Sequence, residues 1–474
     1  MGQEISSTGF AEADFRDFRA RVAQETGLLR AAYETGKLSR RASVIGLELE
    51  AWLVDHNGYP APHNQSFLER VGDPQVVAEL SRFNIELNAP PRLLAGEGLL
   101  ELEQGLRSAW DRCDNSAHDL VDTIIAIGTL PTLREADLTL ANMTPLNRYE
   151  ALNREVLKAR KGEPIRFDID SVHAGGKPLK TVHHDVMIEA ATTSFQLHWQ
   201  LPPERMGPVM NASSILSAPL VALAANSPFL FGRKLWHETR IAIFEQAVSQ
   251  PGDGPQRVTF GRSYVAHDPI AIFEDNLALY PPLLPFMDDE EPGKLACLRL
   301  HNGTIWRWNR PLVGFDEDGT PHLRIEQRVM PSGPTAIDML ANGALYYGAA
   351  HMLAERMEDP ERLLPFDQAR ANFYACARHG LDAEIAWLDG RSRPVRQVIE
   401  KLVPLAREGL AAQGVSDALA ERYLDVVLMR CETRQNGAAW QLRHHAKHGD
   451  LARLVADYLA HQRSGNPVHE WELD

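Results

Sequence analysis

The apolar positions along this chain change period several times, and each change marks an element. From Ala13 to Leu38 they recur at helical spacing (Phe15, Phe18, Val22, Leu28, Leu29), which predicts an opening helix. Val44 to Val54, V-I-G-L-E-L-E-A-W-L-V, is a β-prone run, and Asp55-His56-Asn57-Gly58 after it is a tight-turn signal. Residues 74–83 read as a short helix leading into a strand, N-I-E-L-N at 84–88, stopped by Pro90-Pro91. Residues 97–127 read as one long helix. Further strands are expected at 186–188, 193–201, 257–260, 294–301, 304–308 and 323–329, with helices near 206–225 and 233–248. From Pro334 the pattern is helical almost to the end, broken at Gly380, Gly390 and Gly414. Strands scattered between helices, then a helical final third, predict an α+β fold rather than repeated βαβ units. No internal repeat or linker interrupts the pattern, so one domain is expected over 1–474. Within it, 1–42 is an N-terminal helical segment and 334–474 a helical C-terminal layer.

The first strand carries two carboxylates, Glu48 and Glu50, separated by Leu49. Side chains at i and i+2 of a strand share a face and lie roughly 7 Å apart. Two like charges on an apolar strand cost stability unless something positive sits between them, and a divalent cation is the simplest candidate. A half-solvated strand with an acidic outer face explains the spacing equally well. A second pair, Glu101 and Glu103, falls in a predicted helix, where i and i+2 diverge; a solvated surface is expected there.

Other strands bring ionisable groups in the same way. Glu86 sits in I-E-L-N, with Glu79 seven residues before it. T-T-S-F-Q-L-H-W-Q-L puts Gln196 and His198 on one face, and L-R-I-E-Q-R-V does the same for Arg324, Glu326 and Arg328. R-L-H-N-G-T-I-W-R-W-N-R-P, residues 299–311, mixes three arginines with two tryptophans around an Asn-Gly turn. Singly, each is explained by a surface ion-pair ladder or a satisfied histidine. Together they describe a sheet lining a cation and phosphate site.

Composition narrows the classes. Formal charge is −15, from 64 acidic and 49 basic residues, with no basic stripe, so nucleic acid is a poor partner. An apolar content of 44% supports a sizeable core. No run of about 18 apolar residues suggests a membrane span, and the first residues lack a secretory pattern. Met1-Gly2 with Ser6 matches an acylation pattern only superficially. Four scattered cysteines, with no C-x-x-C, argue against a zinc knuckle or disulfide framework and fit a reducing cytoplasm. No Gly-rich phosphate loop of Rossmann or P-loop kind is present.

Seven segments, in order, resemble the glutamate–cysteine ligase type 2, or carboxylate–amine ligase, family. They are G-L-E-L-E-A-W-L-V-D, E-L-S-R-F-N-I-E-L-N-A-P, T-T-S-F-Q-L-H, A-N-S-P-F-L-F-G-R, L-R-I-E-Q-R, A-N-F-Y-A-C-A-R-H-G-L-D-A and R-Q-N-G-A-A-W-Q, spanning roughly residues 44–445. The resemblance implies a glutamine-synthetase-like fold, in which a curved antiparallel sheet forms a funnel for ATP and an acceptor carboxylate. It implies an ATP- and Mg²⁺-dependent ligase (Mn²⁺ as an alternative) forming an amide through an acyl phosphate. Glu48, Glu50, Glu86 and Glu326 would hold metal, with Glu79 less securely, and Arg328 would sit on the transferred phosphoryl group with Glu50 beside the chemistry. His198, Gln196 and Arg324 would face the nucleotide. Arg240 or Arg233, Arg299 and Arg310 are candidates for the substrate carboxylate, and Asn302 and Trp306 would shape its pocket. The chain departs from the pattern at Leu49, where the family has Glu, and at Gln196, where it has His. Residues 306–322 are expected to add a loop bordering the acceptor pocket. Two other readings remain, a non-catalytic metabolite-binding relative and a metal-dependent amide hydrolase. Small-molecule acid and amine are the expected partners, without nucleic acid or membrane, and self-association is left open.

Overall fold

Val44–Asp55 forms strand β1, and every other strand of the main sheet is placed by reference to it. A computed structural model describes residues 4–473 apart from 121, 253, 266–267 and 288–289; the Met1-Gly2 acylation pattern lies outside the described residues. The main sheet's remaining strands are β2 (Val76–Ala78), β3 (Asn84–Asn88), β4 (Arg92–Leu93), β5 (Asp122–Ile125), β6 (Ser194–Leu201), β7 (Asn309–Phe315) and β8 (Pro321–Pro331). Their order across the sheet is β7-β8-β6-β1-β3-β2, with β4 and β5 pairing to the two ends of β1. Every pair is antiparallel, and the sheet curls into a half-barrel of glutamine-synthetase-like type. Both faces of β1 are covered, which is why its sequence is an almost unbroken apolar run.

The helices that surround this sheet include α1 (Glu12–Glu34), α2 (Gly98–His118), α3 (Asn147–Ala159), α4 (Pro203–Ala224), α5 (Thr239–Ala247), α6 (Ala296–Gly303), α7 (Ala336–Arg356), α8 (Phe366–His379), α9 (Val395–Ala412) and α10 (Asp417–Thr433). The convex layer is built on α4 and α7, which pack on each other and are buried on nearly all sides. Trp199 of β6 meets Tyr346 and Tyr347 of α7 edge-on, at centroid separations of 5.9 and 5.3 Å. By length and composition α4 could cross a membrane, but 94% of its most apolar window is buried inside the protein, as in a core helix. The four cysteines are free and buried.

Several expected elements differ. Residues 74–83 hold β2 rather than a helix, because β-branched Val76 and Val77 pair with β3. The long helix at 97–127 ends at His118; Asp122–Ile125 pairs with β1 instead. Residues 186–188 begin a 3-10 helix, Val186–Ala191, capped by the Asp185 carboxylate accepting from Met187 N at 3.0 Å. The strand expected at 294–301 is α6, so its Asn-Gly is a helix end. Residues 257–260 and 304–308 form a single bridge, Thr259 to Arg307, not strands. Seven residues of the expected loop at 306–322, Asn309–Phe315, form β7, paired with β8 along its length. The helix expected from 233 starts at Thr239. Glu103 is not solvated: α2 lies under the helical layer, and Glu103 accepts from Arg107, Arg422 and Tyr423, at 2.7 Å from the Tyr423 hydroxyl, while Glu101 is exposed.

Trp52 shows how the sheet is anchored. It is fully buried two residues beyond Glu50, stacks on Phe83 at 5.6 Å, and donates to Ile127 O and Thr193 Oγ1 at 3.0 and 3.1 Å. Trp52→Ala is expected to cost about 3–5 kcal/mol, read as a lower denaturation midpoint with unchanged slope in urea; a shift within error would show that this packing contributes little.

Candidate active site

Directly opposed residues of an antiparallel pair point to the same side of a sheet. The register therefore fixes one row. Arg310 and Leu312 of β7 stand opposite Glu326 and Arg324 of β8; Glu326 stands opposite His198 of β6. Gln196 stands opposite Glu48 of β1, and Glu50 opposite Glu86 of β3. A register irregularity between Gln327 and Met330 includes Arg328, whose guanidinium donates to Gln196 Oε1 and, at 2.9 Å, to Glu326 Oε2; bulges commonly re-aim a side chain in this way. Apart from His198, which lies against Glu48, the row lines a cavity of about 260 Å³.

Glu48, His198 and Glu326 bring their ligand atoms within 4.8 Å of one another, the one such trio among the described residues. His198 Nε2 lies 3.2 Å from Glu48 Oε1 and 3.9 Å from Glu326 Oε1, and is buried without a hydrogen bond. An orphaned imidazole nitrogen between two carboxylates is a donor set that fits a divalent cation. Glu326 accepts from Arg310 Nε at 2.7 Å and Arg310 Nη2 at 2.8 Å, besides Arg328. Burial works against its charge, but Arg310, Arg328 and His198 hold it well below the usual carboxylate range.

The other side of the cavity is acidic. Glu50 accepts from Ser194 N and Oγ at 2.7 and 2.8 Å and from Gln196 Nε2 at 3.0 Å; burial and Glu86 still push it up to about 7. Burial and Glu48 raise Glu86 to about 8, and burial and Glu50 raise Glu79 to about 7. Glu189, from the 3-10 helix, lines the same region and is raised to about 8 by burial and Glu50. Opposite them stand two cationic groups without carboxylate partners among the described residues. One is Arg324, whose Nε is buried and unbonded; the other is Arg299 at the exposed rim, whose guanidinium lies 5.9 Å from the Phe315 ring centroid.

Most expected site residues meet here: Glu48, Glu50, Glu79, Glu86, Gln196, Arg299, Asn302, Trp306, Arg310, Arg324, Glu326 and Arg328 line the cavity, with His198 against Glu48. Two arginines do not. Arg240 is buried, ion-paired to Glu238 at 2.9 Å and bonded to the backbone oxygens of Arg328 and Val329, so it holds the irregular stretch of β8 rather than a ligand. Arg233 is exposed, donates to Pro178 O at 3.0 Å and lies away from the cavity. Arg310 is committed to Glu326, and Asn302 ties α6 to β7 through Pro311 O at 2.6 Å. Glu189, Arg148 and Tyr149 went unnoticed in the sequence, since they lie on helices outside any alternating run.

The sequence profile described as glutamate–cysteine ligase family 2 matches residues 44–457, which contain every strand of the sheet. The chain belongs to this family. A Frankia alni protein bearing the name glutamate–cysteine ligase 2-1 is 29% identical over 401 residues, 80% of this chain and 92% of that protein. The crystal structure of glutamate–cysteine ligase from Francisella tularensis in complex with AMP has a TM-score of 0.58 at 12% identity, covering 92% of this chain and 91% of that one. A bifunctional glutathione synthetase from Pasteurella multocida has 0.54 at 15% identity, over 89% of this chain and 52% of the longer protein. At such identities the two structures speak to a shared fold; family membership makes the chain an ATP-dependent carboxylate–amine ligase. The ligase differs from the family pattern at Leu49 without losing a cavity ligand, because Leu49 alternates to the opposite face of β1 and is fully buried in the core.

The raised Glu86 carboxyl has a measurable sign. Its folded value of about 8, against an ordinary 4.5, means the folded ligase holds this proton more tightly than the unfolded chain, so its contribution to stability falls as pH rises between those values. In metal-free buffer, Glu86→Gln is expected to gain stability relative to wild type over that interval. Thermal melts at stepped pH test this; a difference that does not change with pH contradicts it.

Proposed function

We propose that the ligase activates a carboxylic acid as its acyl phosphate and transfers the acyl group to an amine, making an amide bond of the γ-glutamylcysteine type. The observation that carries this reading is the Glu48–His198–Glu326 trio, whose two carboxylates line one cavity together with Arg328. An acceptor carboxylate oxygen attacks the γ-phosphorus of ATP and ADP departs; the neutral amine then attacks the acyl carbon, the C–N bond forms as phosphate leaves with its electron pair, and the nitrogen gives up a proton to the departing phosphate or to solvent. A divalent cation, Mg²⁺ or Mn²⁺, held by Glu48, His198 and Glu326 would neutralise phosphate charge, and Glu50, Glu79 and Glu86 are candidate ligands for a second.

This chain's own groups divide the remaining work. Arg328 sits where charge accumulates on the transferred phosphoryl group, and Gln196 fixes its guanidinium by accepting from it while donating to Glu50. Gln196 thus takes the place of the family's missing histidine as a bridge rather than as a ligand. Arg324 and Arg299, not spent on carboxylates, suit the nucleotide's phosphates, and Leu298, Leu300 and Trp306 beside them offer an apolar surface for a purine.

ADP release tests the reading, with glutamate and cysteine as the first acid and amine and a wider panel after them. Release is expected to need both substrates, to stop with EDTA and to resume with Mg²⁺. Arg328→Ala should still bind ATP but turn over at least ~100-fold more slowly. ADP release indifferent to acid and amine, or near-normal turnover by Arg328→Ala, would overturn the mechanism.

A further inference from the structure

Gln196 and Glu326 hold Arg328 by a single nitrogen. Both hydrogen bonds run from Nη1, while Nε is buried without a hydrogen bond among the described residues. Two bonds at one corner of a planar fork leave the rest of it free to swing about that corner. The backbone below is irregular as well. Gln327 stands opposite Leu197 and Met330 opposite Phe195, so Arg328 and Val329 together face the one residue Gln196. That arrangement is a bulge, and a bulge takes its extra residue out of the ladder.

Helix α5 supplies support at both places. Consecutive carbonyls of a regular strand point to opposite edges. Those of Arg328 and Val329 both accept from Arg240 Nη2, so the chain is turned there, and the turn is held from α5. One helical turn on, Phe244 lies beneath the head of the same side chain, its ring centroid 5.9 Å from the Arg328 guanidinium carbon. Phe244 is itself set edge-on against Trp306 and Trp308, at 6.3 and 5.8 Å. Residues four apart share a helix face, so one face of α5 meets both the backbone and the guanidinium of Arg328. Glu238, fully buried, accepts from Arg240 Nε at 2.9 Å and keeps this second buried cation stable beside the first.

We propose that α5 is the positioning element for phosphoryl transfer, with Arg240 setting the backbone of Arg328 and Phe244 setting its guanidinium. Neither residue touches the reacting groups; both act through Arg328. The assignment rests on the ligase reading and adds to it the parts that aim its cation.

Two double-mutant cycles in the ADP-release assay test this, run with glutamate and cysteine or with whichever acid and amine the wild type uses best. Arg240→Lys keeps a charge beside Glu238 but lacks the fork, and Phe244→Leu keeps an apolar contact but lacks the ring. Each is made in the wild type and in Arg328→Ala. In the wild type, Arg240→Lys is expected to lower kcat about 10-fold and Phe244→Leu about threefold, with the KM for ATP within about twofold. In Arg328→Ala, each is expected to change kcat by less than about twofold, because the group it positions is gone. A purely stabilising role predicts the same fold loss in both backgrounds. That result, a change confined to KM, or no loss in the wild type would overturn the assignment while the ligase reading stands. Melting curves show which variants fold; if Arg240→Lys does not, the Phe244→Leu cycle decides by the same outcomes. A wild type whose ADP release depends on no acid or amine, or near-normal turnover by Arg328→Ala, removes the ligase mechanism and the assignment with it.

Discussion

A carboxylate on the inner face of a sheet must be compensated where it stands, and Glu326 is the case on which the rest depends. Taking an ion out of water costs several kcal/mol even after relaxation, while one opposite charge at 4 Å returns about 4 kcal/mol at an effective dielectric of 20. One arginine therefore roughly balances the burial, and Glu326 has two, with His198 adding to them. That surplus keeps Glu326 ionised. Arg310 reaches it from β7 and Arg328 from within β8, so the ion pairs also tie the sheet's edge strand to its neighbour. Remove the carboxylate and two guanidinium groups lose their partner, so this position holds the sheet together whatever else it binds.

The acidic side follows the opposite rule. Glu50, Glu79, Glu86 and Glu189 outnumber the cations that act on them, Arg328 and Arg148, and each is driven toward its protonated form by burial and by its acidic neighbours. A sheet face that is cationic at β7 and β8 and acidic at β1 and β3 has a direction built into it. Anionic groups are stable at one end and cationic groups at the other, and Arg328 and Gln196 span the boundary between them.

Much of this was legible in the residues because strand alternation is a strict rule. Glu48 with Glu50, Gln196 with His198, and Arg324 with Glu326 each occupy i and i+2 on buried strands, and alternation alone puts each pair on one face. Which strands lie side by side was not legible, since pairing is set by contacts between residues far apart in the chain. Hence α6 read as a strand, because its apolar residues run together, and β7 read as a loop, because Pro311 and Gly314 broke its pattern. Arginine roles were the least legible. Arg240 and Arg310 resemble ligand-binding arginines in sequence, yet one serves backbone carbonyls and Glu238, and the other serves Glu326. A guanidinium's task depends on what lies within a few ångströms of it, which no spacing rule encodes.

The two departures from the family pattern have different physical weight for the same reason. Leu49 changes the face of β1 that packs against the helices, where a carboxylate would be buried among Leu, Ala and aromatic side chains; the substitution makes that face consistent with its surroundings. Gln196 changes the cavity face, and there charge has to be conserved or replaced. A neutral imidazole also carries one donor and one acceptor, but it loses the acceptor on protonation, whereas the Gln196 amide donates to Glu50 and accepts from Arg328 at any pH. With Gln196 in place, the acidic and cationic halves of the face are joined by a neutral bridge, and Arg328 is oriented by Gln196 and Glu326 together.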